Sequence, residues 1–98
     1  MQKQITSIFG YQQITDLSSA VGLTVPARDS LGRIGSPVAA YIRCEGQSVR
    51  WRDDGTAPTA SVGMPLNVGD VLEYDGDLKS IKFIEETGSA KLNVSYYA

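Results

Sequence analysis

The segment RWRDDGTAPTASVGMPL, residues 50–66, determines how the fold is read from the sequence. The Asp-Asp-Gly run at 53–55 has the residue types that reverse a chain. Residues 56–61 are small and polar, which is typical of an extended loop. Pro65 has no backbone N–H to donate to a β-ladder where the chain enters the next strand. The segment therefore predicts an exposed corner between two strands, held to the domain by Trp51.

Two runs before this corner predict strands. Residues 38–45 alternate so that their small and apolar side chains share one face. That face includes Cys44, which we interpret as a small core residue and not as a nucleophile. Residues 48–52 alternate in the same way. The tight connection at 45–47 between the two runs predicts a β-hairpin.

The remaining sequence predicts further short strands separated by turns rich in Gly and Asp. Candidate strands cover residues 5–11, 71–74, 81–85 and 90–97, and the last of these alternates most regularly. Such spacing is typical of a β-sandwich or a jelly roll. We therefore predict an all-β fold, jelly-roll-like or a β-sandwich, in a single domain that spans residues 1–98.

Two N-terminal segments are less regular. Apolar residues from Leu17 to Val21 recur at helical spacing and are followed by a glycine, which predicts one short helical turn. Residues 26–37 predict an irregular loop, since they contain two glycines and two prolines. Leu31 and Ile34 are too apolar for a simple linker. They pack either back on the domain's own core or on a neighbouring subunit.

Composition excludes several classes of function. The chain has no histidine and one cysteine, which removes most zinc, copper and haem sites together with histidine-based catalytic triads. The formal net charge is −2, whereas binding to nucleic acid or to an anionic membrane requires a basic excess. We therefore expect a non-catalytic protein with no cofactor, no metal, no nucleic-acid partner and no membrane association.

Acidic pairs in the sequence have a structural interpretation and a chemical one. The carboxylates at 53–54 resemble a general acid/base pair, but adjacent carboxylates on a turn usually diverge. Residues 75–77 resemble a fragment of a calcium loop that lacks its remaining ligands. For both we favour turn formation.

The start of the chain has no apolar run typical of a signal peptide, and no apolar stretch is long enough for a membrane span. A lone cysteine also forms no internal disulfide. We therefore expect synthesis and folding in a cytoplasm.

Several residues are candidates for contact with a partner, because arginine and exposed aromatic or apolar side chains are enriched at protein interfaces. For the arginines beside Trp51, an ordinary solvated strand face is the alternative. Trp51, Tyr41 and Tyr97 are the candidates for stacking on a ligand. The candidate interface residues are Arg28, Leu31, Arg33, Ile34, Arg50, Arg52 and Tyr97.

The second half of the chain, residues 38–97, resembles small structural proteins of tailed bacteriophages. The resemblance lies in RWRDDGTAPTA at 50–60, GMPL at 63–66, GDVLEY at 69–74 and KLNVSYY at 91–97. Some members of this group are head decoration or cement proteins with jelly-roll folds. A jelly roll is also similar to a cupin, but cupin metal motifs need histidines, which this chain lacks.

The resemblance implies a virion protein that binds the major capsid protein and other copies of itself as a homo-oligomer, and so stabilises the shell. The resemblance also implies synthesis in the host cytoplasm and location in the capsid. One alternative is a head–tail connector or tail structural protein. Another is a jelly-roll module that binds carbohydrate or another ligand.

Overall fold

The computed structural model describes residues 8–98, and these residues form two antiparallel four-stranded sheets without a helix. The strands are β1 (Ile8–Ile14), β2 (Val21–Gly22), β3 (Ala39–Glu45), β4 (Val49–Arg52), β5 (Met64–Leu66), β6 (Val71–Tyr74), β7 (Lys82–Glu85) and β8 (Lys91–Tyr97). One sheet has the order β1-β8-β3-β6 and the other has the order β2-β7-β4-β5. The predicted all-β sandwich is therefore confirmed, while residues 5–7 of the predicted first strand lie outside the described part of the chain.

The strand order is that of a jelly roll. Strands pair as β1 with β8, β2 with β7, β3 with β6 and β4 with β5, as in one long antiparallel hairpin. The hairpin is rolled so that β8 also pairs with β3 and β7 also pairs with β4. Eight strands in two sheets with this rolled connectivity define the jelly roll. The corner at residues 53–63 is the tip of the long hairpin, because it joins β4 to β5 within one sheet.

The predicted hairpin between β3 and β4 is wrong, because these strands lie in different sheets. Both edges of β3 are occupied, by β6 on one side and β8 on the other. The connection at 45–47 therefore carries the chain from one layer of the sandwich to the other. Gly46 has a φ of 81° in this crossing, a conformation that favours glycine.

The predicted helical turn at residues 17–22 is also wrong. Leu17 is fully buried in the core, and its carbonyl oxygen accepts a hydrogen bond of 3.0 Å from the backbone N–H of Glu85. Val21 pairs with Phe83 as part of β2. These long-range backbone bonds replace the local bonds that a helix would need, so tertiary pairing overrides the apolar spacing.

The core between the sheets is built from the inward faces of the strands. Cys44 is fully buried, as predicted, and its Sγ lies 3.0 Å from the carbonyl oxygen of Gln47. This burial places Cys44 in the core, and it also raises the pKa of the thiol. The other fully buried large side chains are Leu17, Ile42, Val49, Ile81, Phe83, Leu92, Val94 and Tyr96.

Tyr96 is the one tyrosine among these, and it donates a hydrogen bond of 2.7 Å from its hydroxyl to Oε1 of Gln12. Burial raises the pKa of Tyr96 to about 12, because the phenolate is poorly solvated in the core. An unfolded tyrosine ionises near pH 10. Between pH 10 and about 12, Tyr96 is therefore mostly neutral in the folded state and mostly ionised in the unfolded state.

We expect the free energy of unfolding to fall as pH rises from about 10 to about 12, by roughly 2–3 kcal/mol from Tyr96 alone. Below pH 10 the contribution is fully present, because Tyr96 is then protonated in both states. Urea unfolding followed by circular dichroism across this interval measures the slope. Tyr96→Phe removes the titrating group, so its free energy of unfolding is expected to fall by roughly 2–3 kcal/mol less over this interval. An equal slope in the variant would contradict the assignment.

Candidate functional site

Residues 28–34 form a short hairpin, which we call the 28–34 hairpin, within the predicted loop. An isolated β-bridge joins Arg28 to Ile34, and the backbone N–H of Asp29 donates to the carbonyl oxygen of Arg33 at 2.8 Å. Asp29 Oδ1 accepts from the backbone N–H groups of Leu31 and Arg33, both at 2.9 Å. The backbone bond from Arg33 is the main cause of the lowered pKa of Asp29. One carboxylate therefore organises the hairpin.

Two apolar side chains project from this hairpin into solvent. Leu31 is 75% exposed and Ile34 is 79% exposed, the highest values among the large hydrophobic residues described. They do not pack on the domain's own core, which was one of the two alternatives for this segment. The base is fixed nearby, since the backbone N–H of Gly35 donates to the carbonyl oxygen of Ala27 at 3.1 Å, and a Cβ atom at Gly35 would lie 3.1 Å from the ring of Phe9.

The two arginines predicted at this interface brace the hairpin internally. Arg28 donates from a guanidinium nitrogen to the carbonyl oxygen of Gly32 at 2.9 Å. Arg33 Nε forms an ion pair of 2.8 Å with Asp29 Oδ2, although its side chain remains 73% exposed. The structure thus brings Arg28, Leu31, Arg33 and Ile34 together on one ordered projection.

Arg50 and Arg52 lie elsewhere, on the outer face of β4. Arg50 Nε is 2.9 Å from Oε2 of Glu86, and its guanidinium also donates to the carbonyl oxygen of Gly63 at 3.0 Å. Arg52 binds Asp54 through both carboxylate oxygens, which lowers the pKa of Asp54. These arginines are engaged within the chain, so they hold the β4–β5 corner in place.

Trp51 points to the opposite side of β4 and packs against the core. Its ring centroid is 6.1 Å from that of Tyr74 in an edge-to-face arrangement. The hydroxyl of Tyr74 donates to Asp53 Oδ2 at 2.7 Å, and burial raises the pKa of Tyr74. Trp51 is thus anchored in the core beside the corner, while the hydrogen bond from Tyr74 to Asp53 ties the corner itself. This position separates Trp51 from the other two stacking candidates.

Those two candidates, Tyr41 and Tyr97, are brought together on the outer face of the β1-β8-β3-β6 sheet. Their ring centroids are 5.4 Å apart with an edge-to-face geometry. Sequence reasoning missed Tyr11, which joins them because β1 pairs with β8. We call this surface the tyrosine face, and it contains a groove of about 260 Å³. The groove is lined by Tyr11, Tyr41, Arg43, Val71, Asn93, Ser95 and Tyr97.

The acidic residues are used in turns. Asp77 accepts from the Ser80 hydroxyl at 2.7 Å and from the backbone N–H of Lys79 at 3.0 Å, and these bonds lower its pKa. Asp53 and Asp54 bind different partners, Tyr74 and Arg52, so their carboxylates do not act as a pair. Within residues 8–98, no group of three or more His, Cys, Asp or Glu side chains is placed so that it could hold a metal ion.

Comparison with known proteins gives no assignment. No protein-family model matches the chain, and no curated protein and no solved structure matches it. Across the described strands and loops there is no helix of the length and apolarity that crossing a bilayer requires. The class is therefore defined by topology alone, as a jelly-roll β-sandwich with an apolar hairpin and a tyrosine face.

Proposed function

We propose that this chain is a non-catalytic decoration or cement protein of a tailed-phage capsid, which binds the major capsid protein and neighbouring copies of itself. The observation that carries the proposal is the exposure of Leu31 and Ile34 on a hairpin that Asp29 makes rigid. A rigid apolar projection loses little conformational entropy when it inserts between subunits. The resemblance of residues 38–97 to phage structural proteins supplies the virion setting.

The energetics of such a contact are modest for each copy. Burying a Leu or Ile side chain stabilises an interface by roughly 1.5–3 kcal/mol before the costs of association. An interface near or below about 1,000 Å² in total is weak by itself. Repetition over a capsid lattice, together with contacts between copies, turns weak single contacts into stable coverage.

The jelly-roll topology is compatible with this role, because viral capsid domains use the same architecture. The same topology also occurs in lectins and cupins, so the fold alone does not decide the function. The hairpin adds what the topology lacks, namely a specific apolar surface that the described part of the chain does not cover.

The test is the composition of purified virions of the phage that encodes this chain. We expect quantitative mass spectrometry to give a copy number comparable to that of the major capsid protein, and cryo-electron microscopy to show matching density on the shell. A copy number equal to the number of subunits in one small ring would instead assign the chain to the connector or tail, since such rings are closed symmetric oligomers. Absence from virions would refute a structural role altogether.

A further inference from the structure

The tyrosine face has a regular geometry that follows from strand register. Tyr11 pairs with Ser95 on one side, and Ser95 pairs with Tyr41 on the other, so the three residues form one row across β1, β8 and β3. Neighbouring strands are about 4.8 Å apart, which places the two tyrosine Cα atoms about 10 Å apart with a serine between them. The row is therefore a trough with an aromatic side chain at each edge, and the Ser95 hydroxyl on its floor donates to the hydroxyl of Tyr97 at 3.2 Å, so Tyr97 also lines the trough.

The next row along the sheet supplies fixed hydrogen-bonding groups. Gln13, Asn93 and Arg43 pair across the same three strands. Asn93 Oδ1 accepts from the Tyr11 hydroxyl and from Gln13 Nε2, the latter at 3.0 Å. Asn93 Nδ2 donates to Glu45 Oε1 at 2.8 Å. These bonds hold the amide and the Tyr11 ring in one arrangement before any ligand arrives.

The electrostatics of the groove favour a neutral ligand. Arg43 is the single charged residue among those that line it, and Arg43 Nε lies 3.8 Å from Oε2 of Glu45. Glu73 stands beside Tyr41 on β6 and accepts a hydrogen bond from it, so two carboxylates flank the one guanidinium and the groove does not attract phosphate or carboxylate groups. A ligand that suits the groove has apolar faces for the tyrosine rings and neutral hydroxyl groups for the serine, amide and guanidinium.

We propose that the tyrosine face binds a neutral carbohydrate, with one pyranose ring seated over Ser95 between Tyr11 and Tyr41. A pyranose presents C–H groups on its faces and hydroxyls around its edge, which matches aromatic walls and a polar floor. The groove volume of about 260 Å³ is below that of a drug-sized pocket, which fits one ring with neighbouring sugars extending into solvent. This inference does not rest on the capsid proposal, because the 28–34 hairpin contributes no residue to the groove.

The experiment uses the full chain labelled with ¹⁵N and titrated separately with maltohexaose, cellohexaose, xylohexaose, mannohexaose and chitohexaose. We expect at least one of them to bind with a Kd of about 1 mM or lower, with backbone shifts centred on Ser95 and Asn93. Tyr11→Ala is expected to weaken that binding at least tenfold. Tyr11 is 64% exposed, so its truncation leaves the core intact. Tyr41→Ala is expected to weaken binding as well, and it tests the opposite wall of the groove independently.

The matched control is Met64→Ala, which truncates a side chain of 58% exposure on the other sheet and is expected to leave binding unchanged. The proposal is overturned if no oligosaccharide shifts the spectrum at about 10 mM. It is also overturned if the shifts map away from the groove or survive both tyrosine substitutions. Shifts of the same residues that depend on protein concentration without sugar would show that a second copy covers this face instead.

Discussion

Gly46→Ala is expected to lower the free energy of unfolding by about 3–4 kcal/mol, because two separate penalties fall on the same added methyl group. The φ of 81° at Gly46 costs a non-glycine residue about 1 kcal/mol or more. A Cβ atom there would also lie 2.3 Å from the backbone oxygen of Ser89, a contact that no side-chain rotation relieves. The β3–β4 crossing must then move away from the β7–β8 connection.

For a domain of this size, such a loss corresponds to a fall in Tm of roughly 12–30 °C. Thermal and urea unfolding, followed by Trp51 fluorescence and circular dichroism, measure it. Gly55→Ala is the matched control, since Gly55 has a φ of 90° but no atom within 4 Å of its added Cβ. The control is expected to cost only about 1 kcal/mol. Equal losses in the two variants would show that φ alone matters and that the contact with Ser89 does not.

Gly46 also shows why part of the fold was predictable from sequence and part was not. Alternation is a local property, so the strand at residues 38–45 and its buried face were predicted correctly. The partner of a strand is not a local property. A short turn after β3 fits a hairpin and a crossing between layers equally well, and the pairing of β3 with β6 and β8 decides between them.

The same reasoning applies to Leu17. Its spacing to later apolar residues is helical, but its burial depends on β7, which lies far away in the sequence. By contrast, the corner after Trp51 was predicted well because its turn residues act locally. Among the strands described for residues 8–98, β4 and β5 are also the one consecutive pair that stays in the same sheet.

The candidate surfaces also differ in whether local sequence or strand pairing identifies them. Leu31 and Ile34 were identifiable from sequence because apolar residues are unusual in a loop rich in Gly and Pro. The internal pairing of Arg50 with Glu86 was not, since it joins β4 to the turn after β7. Tyr11 was missed for the same reason, because only its pairing with β8 places it beside the other tyrosines.

Replacing Leu31 and Ile34 together by Asp is expected to abolish binding to capsids while leaving the isolated domain folded. Both side chains are more than 70% exposed, so the free protein loses little packing. In the bound state the variant loses the transfer free energy of two side chains, roughly 3–6 kcal/mol, and it also buries two carboxylates. We therefore expect binding to weaken about 10²-fold or more.

The measurement is co-sedimentation of the purified chain with capsids that lack it, over a range of chain concentrations. A double substitution of Val62 and Val68 by Asp is the matched control, because these side chains are 51% and 52% exposed and lie outside the hairpin. The control adds the same charge and is expected to sediment with capsids as the original chain does. If the control variant also fails to bind capsids, the added charge and not the hairpin explains the loss of binding. If the hairpin variant still binds, the contact surface lies elsewhere on the sandwich.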